Sequence, residues 1–63
     1  MTYAEWSAEA GTFSRALRGL ADRWDTALTA GVSRMDFEAL RDEVGDVALE
    51  MEQALAEYPA GAA

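Results

Sequence analysis

A chain of 63 residues with no cysteine and no histidine has no disulfide staple, no structural zinc site and none of the usual nucleophile–base pairs. Twelve acids against five arginines leave a net charge of −7, which sets direct binding to nucleic acid or anionic lipid aside. Apolar burial in so small a domain only about offsets the entropy of ordering it, so a second copy or a partner is expected to supply the missing stability.

The opening MTYAEWSAEA contains no basic segment leading into an apolar run, so a secretory signal is not expected. No apolar run reaches the ~18–20 residues that would span a bilayer. Together with the absent cysteine, this points to a cytoplasmic location. Lysine, asparagine and isoleucine are also missing, a bias that fits a GC-rich coding sequence.

Thr2 and Glu5 stand at the spacing of a capping box and predict that a helix begins there. Apolar residues then fall at Tyr3, Trp6, Ala10, Phe13, Leu17, Leu20, Trp24 and Ala27, at alternating intervals of three and four. That is the seam of a coiled coil, and it predicts a helix over about residues 2–29. Gly11 and Gly19 inside it, and Gly45 further on, each cost about 1 kcal/mol against alanine, so tertiary packing must favour the helices.

The stretch TAGVSRMDF is the chain's central break. Gly31 suits the left-handed conformation that closes a helix, and the turn is expected over 30–33. Ser33 is suited to cap the next helix, with Asp36 completing a reciprocal box and Val32 stapled to Phe37. The seam resumes at Phe37, Leu40, Val44, Val47, Met51, Ala54 and Tyr58, giving a second helix over about 34–58. Proline at position 59 discourages continuation, and 59–63 read as a frayed tail.

So short a connection predicts an antiparallel two-helix hairpin, an all-α fold in one domain. Folding the chain about Val32 matches the seams in register, from Ala27 with Phe37 and Trp24 with Leu40 out to Trp6 with Tyr58. The two tryptophans read as core or bundle-interface residues whose indole N–H groups need polar partners.

Beside the seam, Ser7, Ser14, Ala21 and Leu28 on the first helix, and Arg41, Ala48 and Leu55 on the second, form a flank of mostly small or apolar residues. They widen the apolar stripe beyond what two helices need. Two hairpins packed by two-fold symmetry would make a four-helix bundle, so a homodimer is expected. Leu49, in a row with Met35 and Ala56, is a further candidate for partner contact. The charge is uneven: the first helix carries four acids against three arginines, the second eight against two. Asp36, Glu43, Glu50 and Glu57 recur every seven residues as one acidic column, a candidate docking face for a basic partner.

No catalytic, cofactor or metal site is expected. Asp42, Glu43, Asp46 and Glu50 lack the glycine-centred loop of a calcium hand, and no glycine-rich phosphate loop occurs. Arg15 and Arg18 share a face but lie outside the seam. The expectation is a small acidic, non-catalytic interaction protein that engages a protein partner. The alternative is an acidic antagonist that blocks a basic or nucleic-acid-binding surface on its target.

Overall fold

The computed structural model describes residues 1–59. Two helices, α1 (Tyr3–Ala30) and α2 (Arg34–Ala56), lie antiparallel, and the described residues contain no strand. At a rise of ~1.5 Å per residue they run about 42 and 35 Å. The molecule is accordingly a rod of 47 × 16 × 14 Å. Its radius of gyration is 15.0 Å, against about 11 Å for a compact chain of this length.

Each helix boundary has a local cause. The Glu5 N–H donates to Thr2 Oγ1 at 3.2 Å and the Thr2 N–H donates to Glu5 Oε1 at 3.4 Å, which makes the capping box. At the far end Gly31 takes φ 67° and ψ 44°. The Ala27 carbonyl there accepts the N–H groups of both Gly31, at 2.9 Å, and Val32, at 3.4 Å. Ala30 is still helical, so the connection is Gly31, Val32 and Ser33 alone.

The second cap differs from its expected form. Ser33 is extended as an N-cap should be, but its side chain accepts no backbone N–H from the helix. Its hydroxyl donates instead to Asp36 Oδ2 at 3.2 Å, and the Asp36 N–H turns to the Ser33 carbonyl at 3.1 Å. The Thr2 hydroxyl likewise donates to Glu5 Oε1, at 3.0 Å, so the second cap keeps the hydroxyl–carboxylate contact of the first and lacks its two bonds to backbone N–H groups. Helix α2 ends at Ala56, two residues before the expected limit. Tyr58 precedes Pro59 and avoids helical backbone, and the last turn tightens, with Glu57 N–H on the Ala54 carbonyl at 3.0 Å. Of the expected tail, 60–63 lie outside the described residues.

Two glycines illustrate opposite backbone demands. A Cβ built on Gly19 meets nothing within 4 Å, so Gly19→Ala should stabilise the helix by about 1 kcal/mol and raise Tm by several degrees. Gly31→Ala places a side chain at a left-handed φ and should cost about 1–2 kcal/mol. Thermal melts followed by circular dichroism separate the two signs.

The seams interdigitate rather than pairing one to one. Trp6 meets Tyr58 edge-on with ring centroids 4.9 Å apart, in the expected register. Near the turn, Trp24 meets Phe37 at 4.8 Å, one helical turn from its expected partner Leu40. Leu40 sinks instead into a cluster with Leu20 and Ala27, against which Val32, Phe37 and Val47 pack. This is how a knob enters a hole between residues of the facing helix.

Two polar links cross between the helices. The Trp6 indole N–H donates to the Ala54 carbonyl at 2.8 Å, which meets the need of a half-buried tryptophan at the end of the core. Arg23 and Glu43 form an ion pair at 2.8 Å; both are about half exposed, so it contributes at most ~1 kcal/mol. Trp6→Phe keeps an aromatic ring at the site but removes the N–H together with part of the indole's apolar surface. A loss of about 1–3 kcal/mol in denaturant unfolding is expected from the two together.

Candidate interaction surface

A pair of helices has one line of contact, and these seams are two rows wide. The row formed by Trp6, Phe13, Leu20 and Ala27 on α1 meets that of Leu40, Val47 and Ala54 on α2, and every one of these positions is buried or half-buried. The other row of each seam lies at the margin. Of its members, Ala10, Leu17 and Phe37 are half-buried, while Tyr3, Trp24, Val44, Met51 and Tyr58 remain exposed. Only Leu20, Ala27 and Leu40 are buried among the described residues, and none of their side chains is fully enclosed. The hairpin therefore leaves one margin of its seam partly open.

The open margin is continuous with the small-residue flank. Ser14 and Leu55 join Phe13 and Met51 around one shallow hollow, and Ala21 joins Leu17, Trp24 and Val44 around the next. Trp24, Phe37 and Val44 then wall a third with Arg34, Glu38 and Arg41. The three shared-wall hollows form one open apolar groove along the hairpin. Leu28 and Leu55 add exposed apolar surface, at 60% and 64%. Ala48 is exposed, and Ser7 is half-buried with its hydroxyl donating to the Ala4 carbonyl at 3.1 Å.

Leu49 is set apart from the other candidates. It stands exposed, as Met35 does, on the side of α2 opposite Leu40 and Val47. Scattered exposed apolar residues of this kind are ordinary.

The acidic column occupies the other side of the helix pair. Asp36 shares a hollow with Asp22 and Arg23, and Glu43 shares one with Asp46. Glu43 is paired to Arg23 and Asp36 holds the Ser33 hydroxyl, while Glu50 and Glu57 are exposed and form no ion pair among the described residues. The charges lining the open groove balance instead: Arg34 and Arg41 against Asp25 and Glu38. The molecule thus separates an apolar, near-neutral face from an acidic one.

Among the described residues, no group of three or more acidic side chains is placed to hold a metal ion, and no helix is long and apolar enough to cross a membrane. Arg15 and Arg18 are exposed on α1. The geometry defines an all-α helical hairpin with one unpartnered apolar face. Comparison with protein-family models, curated proteins and solved structures finds no match for the chain.

Proposed function

We propose that the protein is a small, non-catalytic protein–protein interaction module of the cytoplasm: an accessory subunit, adaptor or assembly factor working as a helical-hairpin oligomer. The observation that carries this reading is the open groove. The margin of a well-formed heptad seam remains exposed at Trp24, Val44 and Met51 beside a flank of small and apolar residues, a combination that favours helix packing over solvation. Association through the groove leaves the acidic column of Asp36, Glu43, Glu50 and Glu57 facing outward toward a protein partner. Light scattering across a concentration series is the test. A mass rising from 6.8 kDa to twice that value supports the reading, and a folded monomer at every concentration removes its self-association part.

A second reading is favoured by the separation of charge. An acidic antagonist would use the outward column to cover a basic surface of its target. Binding would then weaken steeply with salt and on changing Glu43, Glu50 and Glu57 together to Gln. Salt-insensitive binding counts against it.

A further inference from the structure

The open groove has an orientation written into its margin. Along α2 the row beside Val44 and Met51 reads Arg41, Gly45, Ala48, Glu52: basic, small, small, acidic, at intervals of four, three and four. Residues at these spacings share one face of a helix, since eleven residues make about three turns. The row is self-complementary when reversed. Laid antiparallel on a copy of itself, it places Arg41 on Glu52 and Gly45 on Ala48, and the same contacts recur across the two-fold axis. Laid parallel in register, it places Arg41 on Arg41 and Glu52 on Glu52.

Within one hairpin these residues have little else to do. Arg41 reaches only the adjacent Asp42, at 3.2 Å, with both side chains largely exposed. Glu52 makes no ion pair among the described residues. Gly45 costs α2 about 1 kcal/mol against alanine. Its own chain does not require that concession, because an added Cβ meets nothing within 4 Å.

We infer that the occupant of the groove is a second copy of this chain, lying antiparallel so that α2 crosses α2 at Gly45–Ala48 and Arg41 pairs reciprocally with Glu52. The inference rests on the self-association proposed above and adds its geometry. The area is adequate. The outline of this face, 47 by 16 Å, sets an upper limit of about 750 Å² per copy and about 1,500 Å² for two, so most of the face must be covered to reach the ~1,200–2,000 Å² of specific interfaces. The charge is adequate too: the groove's charges balance, so two molecules of net charge −7 keep their excess acidity on the outer faces.

The test is a charge swap read by analytical ultracentrifugation at low salt, with circular dichroism to check helicity. Arg41→Glu and Glu52→Arg should each weaken dimerisation about tenfold, because each replaces two attractive rim contacts by two repulsive ones. Mixing the two variants should restore dimers as heterodimers, and the double variant Arg41→Glu/Glu52→Arg should restore homodimers. A wild-type dimer indifferent to both changes, or weakened without rescue by either route, overturns this geometry and leaves self-association standing. A wild-type monomer throughout overturns both. Both sites are exposed in the hairpin, and recovery of dimer and helix together on mixing the variants or combining the changes reads the interface and not the fold.

Discussion

Leu40→Ala should abolish cooperative folding at micromolar concentration. Leu40 is the most enclosed residue described, at 6% exposure, and joins Leu20 and Ala27 in the one cluster of buried residues among those described. Truncating a buried leucine costs ~2–5 kcal/mol, and a chain of this size holds no more than ~3–5 kcal/mol in total. The rod shape leaves no second core to share the load. Far-ultraviolet circular dichroism should show a large loss of helix and no sigmoidal melt. Leu49→Ala is the control: an exposed residue on the outer side of α2 should change stability by less than about 0.5 kcal/mol.

The second large effect concerns association. Met51 is 37% exposed in the single hairpin, so a glutamate there could turn its carboxylate to water at small cost. If the groove is covered, the same carboxylate is trapped against Phe13 and Leu55, which line the hollow with it. A penalty above ~2 kcal/mol is then expected, weakening association roughly thirtyfold or more. Met51→Leu, which keeps the apolar volume, should leave the affinity nearly unchanged. Sedimentation equilibrium distinguishes the two outcomes. Equal affinities for Met51→Glu and wild type would place the groove outside the interface.

Much of the hairpin could be read from residue spacing. The three-and-four intervals, the Thr2–Glu5 box and the left-handed demand at Gly31 are local signals, each decided within about one helical turn. What spacing alone could not decide was which row of each seam meets the other helix. Helical periodicity makes Leu40 and Val44 equal members of one stripe, and only the packed pair shows Leu40 buried and Val44 open. The Trp24–Phe37 contact was missed for the same reason, since interdigitation offsets neighbours that a fold-over count sets face to face. At Ser33 the spacing of a capping box is present, but the Asp36 N–H takes the Ser33 carbonyl and not its hydroxyl, a choice that spacing does not encode.

The surface candidates divide similarly. Ser14, Ala21 and Leu55 line the open groove, and Leu28 follows Ala21 by seven residues in the same row. Leu49 stands apart, because one row of three apolar residues at helical spacing does not reveal whether neighbouring residues extend it into a face. The acidic column was legible as charge recurring every seven residues. Its separation from the groove depended on knowing which side of the helix pair stayed open.

The most direct test of the central claim, that the open margin of the seam meets another molecule of the same chain, is the thermal midpoint of the purified protein measured across a hundredfold range of concentration. Association that stabilises the fold makes the midpoint rise with concentration, and loss of helix on dilution should track dissociation. A midpoint that stays constant over that range, at a mass of 6.8 kDa throughout, would show that the hairpin stands alone and contradict the account.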